Sequence, residues 1–333
     1  PGWPGRSETN DRFGSSVAVS DIDGDGIGDL VVGVPGEKLG SHTDAGQVQI
    51  RYNPGDWSQT PASVQTLYQN LAGVRNKVET GDRFGAHLEM ADVTGDSNVD
   101  LIIELIGGSE GAAKKLVFNA LKNKKHVVTA NKALIAKYGD KLAEIAEKNK
   151  VNLEFEAAVC GGVPIIRSIK EGLIANKINK IFGIFNGTSN YILSSMDKQS
   201  KEFDEVLNNA KNLGYAESNP SADLNGDDVA AKLKILTSLC FNSYLNNNIH
   251  VEGIKDIDKT DINNANKLGY KIKLLGYSER INNKIYQRVH PALIKKSSYV
   301  ASIDGVLNAV IVDGKPVGKN IIQGEGAGPA ATT

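Results

Sequence analysis

The pattern of apolar and polar positions changes near residue 100 of this 333-residue chain. From Leu101 onward, short apolar runs alternate with longer stretches in which apolar residues recur at helical spacing. This pattern predicts strands at "LIIELI", "HVVTA" and "LEFEAAV", separated by helices over 110–123 and 131–148. Alternating strands and helices are typical of a parallel sheet, which binds ligands at the carboxyl ends of its strands. We therefore expect an α/β fold in this part of the chain.

Residues before 100 show instead the alternation that is typical of half-buried strands. "SVAVSD" and "LVVGV" are predicted to be two strands that flank a loop. The stretch 11–33 recurs without gaps as 82–103, so that Phe13 matches Phe84 and Asp29 matches Asp100. Self-similarity at a fixed period is the signature of a repeat architecture. We assign residues 1–100 to an acidic repeat segment.

The loop of the first copy carries four carboxylates separated by glycines and apolar residues. They are Asp21, Asp23, Asp25 and Asp29. Hard oxygen ligands on a tight loop suit Ca²⁺, and a solvated acidic turn is the alternative. The loop is not an EF-hand, because Val32 stands where a bidentate Glu would be needed. In the second copy Thr94 replaces the middle carboxylate, which predicts a weaker site.

These features resemble the FG-GAP repeat of integrin α-subunit propellers and related extracellular proteins. The Phe-Gly pairs, the "GVP" at 33–35 and the DxDxDG loop carry the resemblance. In that family several repeats close radially into a β-propeller, which protects the sheet edges. About one and a half repeats are present here, so we expect incomplete propeller blades. The resemblance implies an extracellular, calcium-binding adhesion fragment as one possible function.

The composition changes at the same place as the pattern. Residues 1–99 contain 14 acidic and 7 basic residues, whereas residues 100–333 contain 25 acidic and 31 basic residues. The basic residues also change from 5 Arg and 2 Lys to 3 Arg and 28 Lys. Two parts of one ordinary gene seldom differ this much, so the composition indicates segments of different origin.

The stretch "GYAESNPSADLNGDDVAAKLKIL" at 214–236 concentrates the candidate chemistry. A Gly-Tyr turn presents Glu217, and Asn225 is expected to cap a helix that carries Asp228 and Lys232. A spacing of four places that carboxylate and that ammonium on one helix face. An exposed ion pair is one interpretation. The flanking apolar residues indicate a mostly buried helix, which favours a lined pocket.

A series of motifs from about residue 100 to 333 resembles the homoserine dehydrogenase family. They include "DLIIELIGGSEGA", "KHVVTANKALIA", "FEAAVCGGVPIIRSIKEGL", "GIFNGTSNYIL", the stretch at 214–236 and "SIDGVLNAVIVDG". The resemblance implies NAD(P)H-dependent interconversion of L-aspartate 4-semialdehyde and L-homoserine, a step of threonine and methionine biosynthesis. It also implies a partial Rossmann-like cofactor domain at 101–160, an α+β catalytic domain at 161–318, and at 319–333 the start of a C-terminal return to the cofactor domain.

The resemblance assigns roles residue by residue. Lys232 resembles the catalytic acid/base, which protonates the aldehyde oxygen and stabilises the developing alkoxide. The carboxylates implied to hold the amino end of the substrate are Glu217, Asp228 and, in support, Asp223. The positions implied to contact the cofactor are Lys132, Ser109, Gly214 and Gly328.

"EAAVCGGV" is similar to the monovalent-cation loop of that family. The implied oxygen donors for Na⁺ or K⁺, mostly backbone carbonyls, are Glu156, Val159, Gly161 and Val163. From the residues alone, a tight strand-to-helix turn is equally consistent, and we favour the turn.

The chain also departs from the family pattern. The family begins with a strand, a GxGxxG turn and a helix that binds the pyrophosphate, and no GxGxxG motif precedes residue 100. "VDLII" satisfies both the repeat pattern and the enzyme pattern, so the join is seamless. We expect an artificial joining of two proteins rather than a natural fusion, and an impaired dehydrogenase or an inactive chimera.

The composition excludes several further classes. No run of 18 apolar residues predicts a membrane span, and we expect no signal peptide. The net charge of −1 argues against a nucleic-acid or anionic-membrane partner. Cys160 and Cys240 are expected to be buried thiols. For the enzyme part we expect a cytoplasmic location, a small-molecule substrate and a homodimer formed through the catalytic domain.

Overall fold

The computed structural model describes residues 11–20, 22, 27–53, 55, 64–68, 100–217, 219–243 and 249–326. The chain divides into an N-terminal unit, Pro1–Glu154, and a C-terminal unit, Phe155–Thr333. Within the described residues, no helix has both the length and the apolar character required to cross a membrane.

The N-terminal unit begins with a four-stranded antiparallel sheet. Its strands are β1 (Ser16–Ser20), β2 (Asp29–Val34), β3 (Gln47–Arg51) and β4 (Val64–Leu67), in that spatial order. Val31, Val48 and Ile50 form its small core. The two strands predicted at "SVAVSD" and "LVVGV" are thereby confirmed. Among the described residues this sheet stays open and forms no propeller, in line with the small number of repeats.

A parallel sheet with two helices follows in the same unit. Its elements are β5 (Leu101–Glu104), α1 (Ala112–Lys122), β6 (His126–Thr129), α2 (Lys132–Asn149) and β7 (Leu153–Glu154). The strands run parallel in the order β5-β6-β7. The helices bury the apolar stripe that their sequence predicts, including Val117 and Leu121 of α1 and Leu134 and Leu142 of α2. The predicted strand–helix–strand alternation is confirmed.

The predicted strand "LEFEAAV" is shorter than expected. β7 ends at Glu154, and a single 3₁₀ turn, Glu156–Ala158, replaces the rest. The chain reverses here because Cys160 and Gly161 adopt positive φ angles of 60° and 58°. The tight turn that we favoured in "VCGGVP" is therefore present, and it begins earlier than the apolar pattern suggests.

A six-stranded sheet forms the centre of the C-terminal unit. Its strands are β8 (Lys177–Ile184), β9 (His250–Val251), β10 (Tyr270–Ile281), β11 (Lys284–Lys295), β12 (Leu307–Lys315) and β13 (Gly318–Glu325). The spatial order is β13-β12-β8-β10-β11-β9, and the short β9 alone pairs in parallel. Asn282 and Asn283, both at positive φ, close the β10–β11 hairpin, as expected for the most common two-residue turn.

The helices of the C-terminal unit pack mainly on β8, β10 and β12. They are α3 (Ile165–Arg167), continued by a π-helical turn at Ser168–Gly172, α4 (Gly187–Gln199), α5 (Phe203–Asn212), α6 (Ser221–Asn225), α7 (Asp227–Phe241) and α8 (Lys259–Lys267).

Two facing glycines fix the junction between β8 and α4. Gly183 and Gly276 are cross-strand partners, and a Cβ on either would lie 2.9 or 2.6 Å from the ring of Phe185. The absence of side chains at these positions leaves room for Phe185, which is completely buried. The start of α4, at Asn186 and Gly187, is held in place by this packing.

One local prediction for the C-terminal unit was wrong. Asn225 does not cap the helix that carries Asp228; it ends the short helix α6, and Gly226, at φ 87°, links α6 directly to α7. The residues 318–325 form strand β13, which pairs with β12 and thus extends the sheet of this unit. Their alternating exposure suits an edge strand. The return to the cofactor domain over 319–333 stays a prediction.

Candidate active site

A buried ion pair on α7 is the centre of the candidate site. The Nζ atom of Lys232 lies 2.8 Å from Oδ2 of Asp228. Lys232 is 8% exposed and Asp228 is 4% exposed. Helix spacing brings the two side chains together, and the apolar residues around them remove the pair from water. The exposed-pair interpretation is therefore excluded.

The ammonium of Lys232 also donates a hydrogen bond to a backbone carbonyl. Its acceptor is the oxygen of Phe185, at 2.8 Å, which accepts a second bond of 3.3 Å from Nδ2 of Asn308. Burial by itself would lower the pKa of Lys232, but the negative charge and the hydrogen bond of Asp228 outweigh it, and the pKa is raised. Lys232 is consequently a protonated ammonium at neutral pH, poised to donate a proton.

Asn186 joins the two carboxylates of the site. Its Nδ2 atom donates to Oδ1 of Asp223 at 2.7 Å and to Oδ2 of Asp228 at 3.0 Å. Its Oδ1 atom accepts a bond of 2.7 Å from the backbone N–H of Ser189, so the same side chain caps α4. The structure thus brings Asp223, Asp228 and Lys232 together through a residue to which the sequence analysis assigned no role.

Three further positions of this unit were predicted to bind substrate or cofactor. Glu217 is exposed on the loop between α5 and α6, and Gly214 ends α5 at φ 73° with open space around it. Gly328 lies outside the described residues. Their roles stay predictions.

Both cysteines are free thiols; the predicted burial is confirmed for Cys160 and is wrong for Cys240. Cys160 is completely buried, and burial raises its pKa to about 11, although the nearby Lys232 ammonium opposes this effect. Cys240 is half-buried, and burial of its thiol raises its pKa to about 12. Neither thiol is a nucleophile at neutral pH.

The predicted cation loop is organised by its own carboxylate. Both oxygens of Glu156 accept backbone N–H bonds of 2.8 Å, from Ile166 and Arg167, and these bonds hold the first turn of α3. The carbonyl of Val163 accepts a bond of 2.7 Å from the N–H of Ile165. These contacts are sufficient to explain the turn, and a cation at Val159, Gly161 and their neighbours stays a prediction.

In the N-terminal unit, a buried carboxylate shapes the loop after β5. Glu104 is completely buried, and its Oε1 atom accepts the backbone N–H groups of Ile106 and Gly107 at 2.8 and 3.0 Å. Its Oε2 atom accepts the hydroxyl of Thr129 at 2.6 Å. Asn131 adds a bond of 2.8 Å to the carbonyl of Gly108 and caps α2. The ends of β5 and β6 are thereby fixed to each other.

The two predicted cofactor residues of this unit lie at these strand ends. Ser109 follows Gly107 and Gly108, which adopt φ angles of 80° and 77°, and Lys132 is the exposed first residue of α2. A Cβ on Gly107 would meet no atom within 4 Å, so the backbone is open on this side. Such an open glycine turn at the carboxyl end of a parallel strand fits a nucleotide.

The calcium loop is only partly described. Asp29 is completely buried, and its two carboxylate oxygens each accept a backbone N–H bond of 2.8 Å, from Ile22 and Asn53. Asp29 therefore organises the loop through backbone contacts. Asp21, Asp23 and Asp25 lie outside the described residues, as does the second copy from 82 to 99. Calcium binding stays a prediction.

The sequence analysis missed Asn186 and Glu104, which organise the two groups of residues. A signal for Asn186 exists in "FNGTSN", since Asn before a helix start is a preferred cap. Glu104 interrupts the apolar run "LIIELI", and a lone carboxylate in a buried strand requires hydrogen-bond donors. Neither signal identifies the partner groups.

Three family models match parts of the chain. "Homoserine dehydrogenase" matches residues 164–333, "Homoserine dehydrogenase, NAD binding domain" matches 59–156, and "FG-GAP repeat" matches 13–50. The second match includes residues 59–99, which the sequence analysis assigned to the repeat segment, whereas the FG-GAP match covers the first copy alone. The boundary at residue 100 stays a prediction.

Known proteins resemble the chain over most of its length. Homoserine dehydrogenase of Neisseria gonorrhoeae is 47% identical over 71% of this chain and 54% of the relative. That of Pseudomonas aeruginosa is 45% identical over 73% of this chain and 56% of the relative. The chain thus spans about half the length of the curated relatives that it matches.

Solved structures of homoserine dehydrogenases also resemble the chain. A homoserine dehydrogenase from Thiobacillus denitrificans has a TM-score of 0.68 at 47% identity, covering 71% of this chain and 55% of that chain. A hyperthermophilic archaeal homoserine dehydrogenase mutant in complex with NADPH has a TM-score of 0.61 at 27% identity, covering 70% of this chain and 68% of that chain.

Proposed function

The chain belongs to the homoserine dehydrogenase family, and we propose that it catalyses, at an impaired rate, the NAD(P)H-dependent interconversion of L-aspartate 4-semialdehyde and L-homoserine. The observation that carries this proposal is the buried pair of Lys232 and Asp228, with Asp223 joined to it through Asn186. A protonated amine that is held by a carboxylate and a carbonyl is a proton donor of fixed position.

The proposed reaction requires one hydride and one proton. A nicotinamide cofactor, when bound, would supply the hydride. Lys232 donates a proton from Nζ to the aldehyde oxygen, so that the carbonyl becomes the hydroxyl of homoserine. Before transfer, the ammonium stabilises the negative charge that develops on that oxygen. In the reverse direction the neutral amine of Lys232 accepts the hydroxyl proton.

The carboxylates of the site support recognition of an amino acid. Asp223 and Asp228, joined through Asn186, both favour a positive charge near them. The α-ammonium of homoserine or of aspartate semialdehyde supplies such a charge. Glu217, exposed on the preceding loop, is available to complete the contact.

The cofactor is proposed to bind at the loop after β5, with Ser109 and Lys132 as contacts. The open backbone of Gly107 and the rigid support of Glu104 favour a nucleotide there. The archaeal relative was solved with NADPH, so we propose NADPH as the first cofactor to test.

Two further features of the family are proposed for this chain. A monovalent cation would bind the carbonyls of the loop 156–163, whose tight turn brings several of them close in sequence. A homodimer would form through the C-terminal unit, which exposes Tyr286, Leu293 and Ile321 on strands β11 and β13. Light scattering of the purified chain tests whether it forms a dimer. Activity assays in Na⁺, in K⁺ and in a bulky organic cation test whether a monovalent cation binds to the loop.

A second function, calcium binding, is supported by the FG-GAP match at 13–50 and by the ordered position of Asp29. Titration calorimetry with Ca²⁺ on the full chain, with Asp23→Asn/Asp25→Asn as control, tests it. Absence of binding heat at millimolar Ca²⁺ would remove this function.

The dehydrogenase function is tested with the purified 333-residue chain, homoserine and NADP⁺, by following NADPH absorbance. Lys232→Ala should reduce turnover by about 10²–10⁴-fold, the usual contribution of a positioned acid or base. Asp228→Ala should mainly raise KM. Absence of turnover by the unmodified chain, or unchanged turnover by Lys232→Ala, would contradict the proposal.

A further inference from the structure

We propose that Asn186 is a positioning residue of this site: it holds Asp223 and Asp228 in the arrangement that receives the substrate's ammonium. The inference rests on the proposed dehydrogenase function and adds a residue to it. Asn186 touches neither the reacting carbon nor the transferred proton in this role. It acts through the two carboxylates.

The orientation of the Asn186 amide is determined by its contacts. The oxygen of the amide accepts the N–H of Ser189, which donates at 2.7 Å and cannot accept. The nitrogen must therefore face the other way, where it meets Asp223 at 2.7 Å and Asp228 at 3.0 Å. One amide thus uses its acceptor for the helix and its two donor hydrogens for two carboxylates.

A neutral donor is the appropriate group for this task. Asp223 and Asp228 come from different helices, α6 and α7, and two neighbouring carboxylates repel each other. An Arg or Lys at position 186 would bridge them but would cancel the charge that attracts the substrate. An amide satisfies both carboxylates and leaves their charge in place. Asn186 is 5% exposed, so water does not readily replace it.

The residue before Asn186 holds the other end of the ion pair. The carbonyl of Phe185 accepts the bond from Lys232, and the side chain of Asn186 donates to Asp228. Phe185 is fixed between the sheet and α7 because Gly183 and Gly276 leave room for its ring. Two successive residues therefore set the position of both the ammonium and the carboxylate.

The test compares two substitutions that keep the helix cap. Asn186→Asp has the same shape and is an equally good cap, but it replaces the donor by a third carboxylate. Asn186→Ser also caps, but its hydroxyl is too short to bridge the two carboxylates. Asp258→Ser is the matched control, because Asp258 caps α8 in the same unit. Homoserine oxidation by the full chain is measured with each variant, together with the melting temperature.

We expect Asn186→Ser to lower kcat/KM by about 10- to 100-fold, the effect of losing hydrogen bonds to charged groups, and to do so mainly through KM for homoserine. Asn186→Asp should lose more than Asn186→Ser, although it preserves the shape better. If Asn186 merely caps α4, both variants should have near-normal kinetics, because Asp and Ser cap about as well as Asn. Both variants should melt below Asp258→Ser, and Asn186→Asp should melt at the lowest temperature because a buried third carboxylate adds repulsion. Kinetics are therefore measured at a temperature at which every variant is folded, and Asp258→Ser should retain normal kinetics.

A double variant tests whether the effect of Asn186 on the kinetics acts through Asp223. If Asn186 acts through Asp223, then Asn186→Ser combined with Asp223→Asn should lose less than the product of the two single effects. Unchanged KM and kcat in both Asn186 variants of an active chain would overturn this inference and leave the proposed function intact. Absence of homoserine turnover by the unmodified chain would overturn both.

Discussion

Removal of the charge of Asp228 should destabilise the C-terminal unit strongly at neutral pH. In Asp228→Asn the amide oxygen can still accept the bonds from Lys232 and Asn186, so the main loss is the charge itself. Two unit charges 2.8 Å apart attract each other by about 6 kcal/mol at an effective dielectric constant of about 20. In the variant, the buried ammonium of Lys232 has lost the adjacent negative charge of Asp228. We therefore expect a loss of about 3–5 kcal/mol in the free energy of unfolding.

The loss should depend on pH in a defined direction. In the unmodified chain the pKa of Lys232 is raised above the ordinary value of 10.5, so its contribution to stability is complete below that pH and is lost as the pH rises through the folded-state pKa. In Asp228→Asn, burial dominates and lowers the pKa of Lys232. The difference in stability between the two proteins should therefore be complete below the lowered pKa of the variant, and it should shrink as the pH rises from there through the raised pKa of the unmodified chain.

A neighbouring carboxylate provides a matched control. Asp227 stands one position earlier in the first turn of α7 and is exposed. Asp227→Asn removes the same charge from the same helix end and should cost about 0.3–1 kcal/mol. Urea unfolding, followed by circular dichroism at about pH 7.5 and at alkaline pH, gives the free energy of unfolding of each variant. The effects of ionisable groups that both variants share cancel in the difference between them. Equal stability of Asp228→Asn and Asp227→Asn, or a difference independent of pH, would refute the reasoning.

Three further predictions concern other buried groups. Glu104→Gln should accelerate hydrogen exchange of the amides of Ile106 and Gly107 by about 10-fold, since a neutral acceptor holds them less strongly; unchanged exchange in the 105–108 peptide would contradict this. Cys160, whose pKa is raised by burial from 9.0 to about 11, should be alkylated at about pH 8 at least ~100-fold more slowly in the folded chain than in urea, and mass spectrometry of its peptide measures the two rates. Asp29→Ala should lower the melting temperature of the N-terminal sheet even without Ca²⁺, because two buried N–H groups lose their acceptor; an effect seen only with Ca²⁺ would contradict this.

The secondary structure of residues 101–150 could be predicted from the sequence because it depends on local information. Apolar periodicity located α1 and α2 within two residues of their observed bounds. The errors lie at positions where the backbone conformation, rather than the apolar pattern, determines where an element begins or ends. The strand "LEFEAAV" stops at Glu154, before the 3₁₀ turn at Glu156–Ala158, and Gly226 rather than Asn225 precedes α7. A positive φ angle ends an element without changing the apolar pattern that predicted it.

The candidate site could be predicted only in part, for a related reason. Helix spacing placed Asp228 beside Lys232, and the apolar neighbours indicated their burial. The family resemblance supplied Asp223. The contacts of Asn186 cross 37 and 42 positions of the chain, and those of Glu104 cross 25 and 27. An amide or a carboxylate has no intrinsic role; what it does depends on the groups that the fold places opposite it.

A comparison of two buried lysines shows what distinguishes the candidate catalytic one. Lys273 is more deeply buried than Lys232, at 1% exposure, and it has three acceptors, on Asn190, Ile303 and Asp304. Burial nevertheless lowers the pKa of Lys273, whereas the pKa of Lys232 is raised. Burial and hydrogen bonding alone therefore do not account for the difference between the two amines.

The difference lies in the ratio of charges around each amine. Asp304 is shared by the ammonium groups of Lys198, Lys271 and Lys273, at 3.0, 3.3 and 2.8 Å, and Asp197 adds one further carboxylate at 3.5 Å from Lys271. That cluster has an excess of positive charge and would repel the ammonium of an amino acid. At Lys232 the charges of Asp228 and Asp223 both raise the pKa, so the amine keeps its proton, and the α-ammonium of an amino acid would be attracted to the same carboxylates. Burial makes the pKa of each lysine sensitive to neighbouring charges, and the adjacent carboxylates would suit Lys232 to the proposed protonation of an amino aldehyde.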